Sequence, residues 1–228
     1  MAAKPKNGLF VTGTDTEVGK TYVSSLIVAA LLRRGVSVGV YKPVASGCVR
    51  RGDALVSEDA EQLWAAAGNP KTLHEVTPQR FEAALAPNVA ARLAEQSVDA
   101  ELIRSGLDAW SESEFVLIEG VGGLLAPMTD DELVVDVAGK FGYPLLVVVG
   151  NKLGCINHAL LTLEVAKQRG FDVAGIVLND VEQPDESAAW NRDEIERLSG
   201  SVVLAHVKHG EVNIELTQQA IKKITGVT

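Results

Sequence analysis

The 228-residue chain combines 46% hydrophobic and 22% charged residues with a formal net charge of −9. This length suits one large domain over residues 1–228, and the hydrophobic content excludes a disordered chain. An acidic chain without a basic stripe argues against a nucleic-acid partner, and no stretch approaches the roughly 18 apolar residues of a membrane span. The two cysteines, Cys48 and Cys155, lack metal-type spacing. We therefore expect free thiols and a cytoplasmic protein that does not associate with membranes.

Short apolar runs alternate with helical patterns along the chain. The apolar runs predict strands over residues 9–12, 36–41, 115–119, 144–149, 173–178 and 202–206. The helical patterns predict helices over residues 20–34, 58–67, 99–113, 156–169, 191–198 and 214–224. Several runs are continuously hydrophobic, which is typical of parallel strands buried on both faces. The alternation predicts an α/β fold with a doubly wound, mostly parallel sheet. Residues 46–97 have no strong strand pattern and are predicted to be an insertion of loops and helices.

The first predicted strand leads into GTDTEVGKT, residues 13–21, which opens the first predicted helix. Strand, glycine-rich loop and helix in this order predict a P-loop, whose backbone N–H groups and helix N-terminus bind phosphates. Lys20 then places a cation on the β- and γ-phosphates, and the Thr21 hydroxyl is a ligand for Mg²⁺. The spacing between the first glycine and the Gly-Lys pair is one residue longer than usual. Asp15 and Glu17 leave two interpretations open: compensation of the helix dipole or, for Glu17, orientation of metal-bound water or a substrate amine.

Polar residues also follow three other predicted strands. Because ligands gather beyond the carboxyl ends of parallel strands, Lys42 in YKPVASG is predicted to face the P-loop and stabilise the transferring phosphoryl group. Glu119 ends an apolar strand and precedes glycines, as a Walker B carboxylate that binds Mg²⁺ does. Asn179 can either hydrogen-bond a nucleobase or act as a turn residue. The free N–H groups of residues 150–157 can bind a carboxylate or a phosphate.

Together, these segments resemble the dethiobiotin synthetase family, which are ATP-dependent enzymes of biotin synthesis. The resemblance rests on GTDTEVGKT, YKPVASG, IEGVGGLLAPM, NKLGCINHALLT and GIVLND, in this order between residues 13 and 180. It implies a P-loop nucleoside triphosphate hydrolase fold and a reaction on 7,8-diaminononanoate. One amine takes up CO₂, ATP converts the carbamate into a mixed carbamic–phosphoric anhydride, and the second amine closes the ureido ring. The resemblance also implies a homodimer with the diamine near the subunit interface.

The resemblance further implies roles for individual residues. The catalytic cations, which hold the phosphoryl group and the carbamate, are Lys20 and Lys42. The Mg²⁺ ligands are Thr21, Asp59 and Glu119. The diamine contacts are Ser46, Gly122 and, from the partner subunit, Asn157. The nucleotide-binding set is Thr16, Glu17, Val18, Gly19, Lys20, Thr21, Tyr22, Asp59, Glu119, Gly120, Val121, Gly122, Asn179, Asp180, Ala205, His206 and Val207.

Two segments depart from the family pattern. Residues 86–89 read Ala-Pro-Asn-Val where the family often has Ser-Pro-His. The sequence therefore does not define which residues form the wall of the substrate site there. Residues 205–209 lack a proline that is common in the base-contacting loop of the family. The sequence therefore does not define which nucleotide base is preferred.

Two other classes of P-loop protein are alternatives. A cobyrinate-type amidoligase needs a glutaminase site, and neither cysteine has the surrounding pattern. A partitioning or septum-placing ATPase usually carries a second lysine early in the P-loop, where this chain reads Thr14-Asp15-Thr16.

Overall fold

The computed structural model describes residues 4–226. Its strands are β1 (Asn7–Gly13), β2 (Val38–Tyr41), β3 (Val44–Ala45), β4 (Val49–Arg51), β5 (Ala54–Val56), β6 (Gln79–Arg80), β7 (Phe115–Gly123), β8 (Leu145–Asn151), β9 (Val173–Asp180) and β10 (Val203–Val207). Its α-helices are α1 (Lys20–Leu32), α2 (Glu58–Ala66), α3 (Leu73–Val76), α4 (Pro87–Leu93), α5 (Ala100–Ser105), α6 (Val134–Phe141), α7 (Cys155–Gln168), α8 (Asn191–Ser199) and α9 (Gln218–Thr225). Two 3₁₀ turns cover Gly106–Trp110 and Glu186–Ala189.

Six strands form one sheet in the order β10–β9–β8–β1–β7–β2. Every neighbouring pair in it is parallel. The predicted parallel α/β sheet is therefore confirmed.

The sheet is covered on both faces. In β8, Leu146 and Val148 belong to the large core that includes residues of α1 and α6. The alternate residues Val147 and Val149 belong to a smaller core with residues of α7 and α8. Since neighbouring side chains of a strand point to opposite faces, the helices lie on both sides of the sheet, as the continuous apolar runs predict.

The prediction of one helix over residues 99–113 is wrong. Helix α5 ends at Ser105, and a 3₁₀ turn follows it. The buried Tyr41 hydroxyl, at the end of β2, donates to the carbonyl of Ile103 at 2.9 Å. That carbonyl would accept the next helical hydrogen bond, so the α-helix stops where Tyr41 enters it.

Other elements differ in extent or were not predicted. The last helix begins at Gln218 instead of residue 214, because the Thr217 side chain caps it by accepting from the Ala220 amide. Helix α6 has no counterpart among the predicted elements. The insertion contains a short antiparallel pair, β4 with β5, besides its helices. Within residues 4–226, no helix combines the length and the apolar character that crossing a membrane requires.

Candidate nucleotide and metal site

The P-loop joins β1 to α1 in a tightly packed turn. Gly19 adopts φ 86° and caps the N-terminus of α1. A Cβ atom at Gly13 would lie 2.7 Å from Val18 Cγ2 and 3.0 Å from Lys20 Nζ, so only glycine fits beneath the loop. The Lys20 ammonium lies over the loop and donates to the carbonyl of Asp15 at 2.8 Å. The longer spacing is therefore compatible with a closed loop at the helix N-terminus.

A lysine and two carboxylates meet beside the P-loop. The Lys42 Nζ atom lies 2.6 Å from Glu119 Oε1 and 2.8 Å from Asp59 Oδ2. The Thr21 hydroxyl donates to the same Glu119 oxygen at 2.7 Å. Lys42 is 4% exposed and Glu119 is fully buried, whereas the Asp59 side chain is about half exposed at 53%. These four predicted residues thus form one cluster, although they come from α1, from the position directly after β2, from α2 and from β7.

The charge states of this cluster follow from burial and pairing. Burial alone would lower the pKa of Lys42, but Glu119 and Asp59 outweigh it and hold the pKa above its ordinary value. Burial would raise the pKa of Asp59, and the Lys42 ammonium overcomes this effect and lowers it. Lys20 is different, because burial outweighs the attraction of Glu119, Asp59 and Asp15 and lowers its pKa to about 8. Lys42 is consequently a permanent cation, whereas Lys20 loses its proton more readily than an ordinary lysine.

The predicted metal ligands fit a hard divalent cation. Glu119 Oε2 is buried and has no hydrogen-bond partner among residues 4–226, which leaves one oxygen of this carboxylate unsatisfied. Thr21, Asp59 and Glu119 supply the oxygen donors that Mg²⁺ prefers. Over the same residues there is no group of three or more His, Cys, Asp or Glu side chains that could hold a metal. Phosphate oxygens and water would therefore have to complete the coordination.

A cavity of about 530 Å³ opens next to this cluster. Its lining combines charged side chains with apolar ones. Its lining residues are Thr16, Glu17, Lys20, Lys42, Ser46, Asp59, Ala84, Leu85, Ala86, Pro87, Val121, Gly122 and Ala126. Ala86 and Pro87 belong to the segment that departs from the family pattern at the substrate wall, whereas Ala84 and Leu85 were not predicted, because they lie in the insertion and carry no motif of their own.

Asn179 lies on the opposite side of the P-loop. Its amide Nδ2 donates to the carbonyl of Val18 at 3.1 Å, and a Cβ atom on Gly19 would approach that nitrogen to 2.2 Å. Its Oδ1 is buried and lacks a partner in the part of the chain that the structure describes. The fixed amide therefore presents a free acceptor beside the P-loop, as a base-binding residue would.

Some of the side chains that were predicted to bind the nucleotide contact other side chains of the protein. His206 Nε2 lies 2.6 Å from Asp180 Oδ1, and Asn151 Nδ2 donates to the same oxygen at 2.7 Å. Ala205 and Val207 are buried in β10, so only their backbone is available to a ligand. These side chains join the ends of β8, β9 and β10. The role of Asn151 in this network was missed, although its place at a strand end was a usable signal.

Three further predicted residues lie away from the cavity. Gly120 packs in the core, since a Cβ atom there would lie 3.0 Å from the Phe10 ring. The Tyr22 hydroxyl, on the first turn of α1, donates to the carbonyl of Glu211. Asn157 is on the exposed side of α7 and lines a different depression. Within a single chain, Asn157 therefore lies outside the cavity that contains the other predicted diamine contacts.

Comparison with known proteins identifies the family. A family model described as AAA domain matches residues 7–215. The chain is 42% identical over 212 residues to ATP-dependent dethiobiotin synthetase BioD of Rhodopirellula baltica, covering 87% of this chain and 83% of that protein. It is 43% identical over 203 residues to the protein of that name from Akkermansia muciniphila, covering 88% and 92%.

Solved structures agree on the fold. Hydrogenase maturation factor HypB from Archaeoglobus fulgidus matches with a TM-score of 0.51 and 18% identity, over 91% of this chain and 82% of that one. A ParA family ATPase from Chlorobium tepidum matches with a TM-score of 0.52 and 15% identity, over 90% and 86%. Identities this low show the P-loop nucleoside triphosphatase fold alone. Because the sequence likeness covers most of both chains, the protein belongs to the ATP-dependent dethiobiotin synthetase family.

Proposed function

We propose that this chain closes the ureido ring of dethiobiotin through a carbamate and a mixed carbamic–phosphoric anhydride. Its family relatives carry the name of the ATP-dependent ligase that makes dethiobiotin in biotin biosynthesis. The observation that carries the proposal is the position of Lys42. It lies between two carboxylates, beside the P-loop, in a cavity that is lined by charged and apolar residues.

The reaction must bring two anions together. One amine of 7,8-diaminononanoate takes up CO₂ and loses a proton to give a carbamate. A carbamate oxygen attacks the γ-phosphorus, and the nucleoside diphosphate leaves. The second amine then attacks the carbamoyl carbon, phosphate leaves with the C–O bonding pair, and the amine proton is lost to solvent. Carbamate and triphosphate repel each other, so positive groups fixed at the meeting point lower the barrier of the phosphoryl transfer.

Lys42 and Lys20 supply that positive charge. The raised pKa of Lys42 keeps it protonated, so it acts as a fixed cation and not as a base for the diamine. Thr21, Asp59 and Glu119 would hold Mg²⁺, which when bound neutralises phosphate charge. Lys20, anchored at the first residue of α1, would bind the β- and γ-phosphates in place of its contact with Asp15.

The apolar residues that line the cavity suit the aliphatic chain of the diamine. They include Ala86, Pro87 and Ala126, and Ser46 and Gly122 line the same cavity. Burial of the methylene groups against the apolar residues would leave both amines for the polar side chains of the lining.

The fixed amide of Asn179 supports a preference among nucleotides. Because Nδ2 is bound to Val18, the free Oδ1 accepts a hydrogen bond from an exocyclic amino group. Adenine and cytosine carry such a group at the matching edge, whereas guanine and uracil carry a carbonyl oxygen there. We expect ATP and CTP to be favoured over GTP and UTP.

A second copy of the chain would complete the diamine site. Asn157 lies near the N-terminus of α7, where Gly154 provides no side-chain cap, so backbone N–H groups remain for an anion. Because Asn157 does not line the cavity of its own chain, it can reach the diamine carboxylate only from a partner. The proposed assembly is a homodimer.

Phosphate release tests the proposal. Purified protein is incubated with Mg²⁺, bicarbonate, 7,8-diaminononanoate and each of the four triphosphates, and one component is omitted at a time. Release should require both the diamine and bicarbonate. Release without the diamine that is stimulated by DNA or lipid vesicles would instead support a regulatory ATPase.

A further inference from the structure

We infer that Tyr22 is a positioning residue for the nucleotide base. It fixes the turn at residues 208–211, and this turn determines where the base lies. The inference deepens the proposed function and rests on it, because it assumes that a triphosphate binds the P-loop. Tyr22 does not need to touch the nucleotide to have this effect.

The first contact is between α1 and the turn. Tyr22 is the third residue of α1, and its hydroxyl donates to the backbone carbonyl of Glu211. The turn itself is closed twice: the Glu211 amide donates to the Lys208 carbonyl at 3.2 Å, and the Lys208 amide donates to Glu211 Oε2 at 3.0 Å. A small closed turn behaves as a unit. Since β10 leads into the turn at Lys208 and Tyr22 contacts it at Glu211, the Tyr22 hydroxyl sets the orientation of the turn relative to the strand.

The second contact places the turn next to Asn179, whose Oδ1 is the proposed hydrogen-bond acceptor for the nucleotide base. Lys208 directly follows Val207, and Val207 is in register with Asn179 on the neighbouring strand. Asn179 is in turn held on the P-loop through Val18. The first turn of α1 and the preceding loop thus fix both Asn179 and the turn that follows β10. A base attached to a triphosphate in the P-loop would lie between them.

The rest of the segment does not hold the turn at this point. Residues 208–217 contain no helix or strand, and their next buried side chains are Ile214 and Leu216. Val212, which follows the turn, is 80% exposed. Loss of the Tyr22 hydroxyl should therefore release the turn while the P-loop, whose contacts do not involve that hydroxyl, keeps its shape.

The experiment compares two ligands that share the phosphates and differ in the base. Binding of a non-hydrolysable ATP analogue and of inorganic tripolyphosphate, each with Mg²⁺, is measured calorimetrically for wild type and Tyr22→Phe. The variant should bind the analogue about fivefold more weakly, the equivalent of one hydrogen bond, and tripolyphosphate as wild type does. Hydrogen exchange at the Glu211 amide should be faster in the variant.

Tyr143→Phe is the matched control. The Tyr143 hydroxyl also donates to a backbone carbonyl, that of Pro5 at 2.6 Å, at the other end of the sheet. This variant should leave the ratio of the two affinities unchanged. Equal weakening of both ligands by Tyr22→Phe, or of neither, would overturn the inference. If wild type failed to bind tripolyphosphate, the proposed phosphate site itself would be wrong, and the Tyr22 inference with it.

Discussion

At the residue scale, the cluster around Lys42 explains how two carboxylates can be held together before any metal arrives. Glu119 is fully buried, and an unpaired buried carboxylate would be strongly destabilising. The Lys42 ammonium neutralises Glu119 and Asp59 at 2.6 and 2.8 Å, in the position between them where a divalent cation would be attracted. Lysine and metal therefore compete for the same two carboxylates.

This competition predicts the behaviour of Lys42→Met. Without nucleotide or divalent cation, the variant should be less stable than wild type by about 3 kcal/mol, because Glu119 loses its buried partner. Added Mg²⁺ should then raise its melting temperature, since the two carboxylates become free to bind the ion. Wild type should respond little. Thermal unfolding with and without Mg²⁺, at matched ionic strength, measures the difference.

The double variant Lys42→Met/Glu119→Gln serves as the control. With only one carboxylate left, its melting temperature should no longer depend on Mg²⁺. An equal response to Mg²⁺ in wild type and in Lys42→Met would show that the lysine does not occupy the place of the metal.

Lys20 predicts a pH dependence of triphosphate binding. Its pKa is lowered to about 8 in the free protein, while a bound triphosphate favours the ammonium form and raises that pKa. Above pH 8 the complex then holds more protons than the free protein, so binding takes up a proton and affinity falls as pH rises. Well below pH 8 this lysine is protonated in both states and adds no pH dependence.

Proton uptake at pH 9 checks this expectation. Calorimetry with a non-hydrolysable triphosphate in two buffers of different ionisation enthalpy should show uptake approaching one proton. Lys20→Arg, which stays charged, should bind without it. Absence of uptake by wild type at pH 9 would contradict the lowered pKa.

At the scale of elements, the junction between the P-loop and α1 depends on Gly19. An alanine there must adopt φ 86° and would bring its Cβ to 2.2 Å from the Asn179 amide. We expect Gly19→Ala to lose about 1–2 kcal/mol of stability and most of its triphosphate binding, because the helix N-terminus and Asn179 must both shift. Gly35→Ala is a close control, since Gly35 has φ 81° and nothing within 4 Å of its added Cβ. It should lose stability but keep normal binding, as calorimetry and thermal unfolding can show.

The strands and the phosphate loop could be predicted from sequence because their signals are local. Continuous apolar runs, and the glycines and lysine of residues 13–21, depend on neighbouring residues alone. The position of Lys42 followed from one further rule, that parallel strands end at the same edge of the sheet.

Other features depend on contacts between distant segments. The break after α5 is caused by Tyr41, about 60 positions earlier in the chain, so no local periodicity in residues 99–113 reveals it. The pairing of His206 with Asp180 likewise joins two strands. The sequence predicted that His206 and Asp180 both lie near the nucleotide, but it could not show that their side chains contact each other.

At the scale of the whole molecule, the proposed function divides the diamine site between two copies of the chain. The phosphate loop and Lys42 lie in one chain, whereas Asn157 on α7 faces outward from it. Leu153 and Leu161, on the same helix or just before it, are exposed by 79% and 59%. Apolar side chains around an outward-facing polar residue are typical of a surface that another chain covers. When a second copy of the chain is needed to cover this surface, no monomer has a complete diamine site.

Mixing two inactive variants tests this division. Lys42→Met removes the cation of the cavity but retains Asn157, while Asn157→Arg retains the cavity but blocks the carboxylate end. Each homodimer should be nearly inactive. When the two are unfolded together and refolded in equal amounts, half of the dimers contain both variants, and each of these has one fully wild-type site. Phosphate release should recover to about a quarter of the wild-type rate, the value for random pairing.

Variants refolded apart and then mixed briefly should remain inactive, which separates subunit exchange from simple addition. Recovery to no more than the sum of the separate variants would mean that Asn157 acts within its own chain or not at all, because a site built from one chain cannot be repaired by a partner that is itself defective.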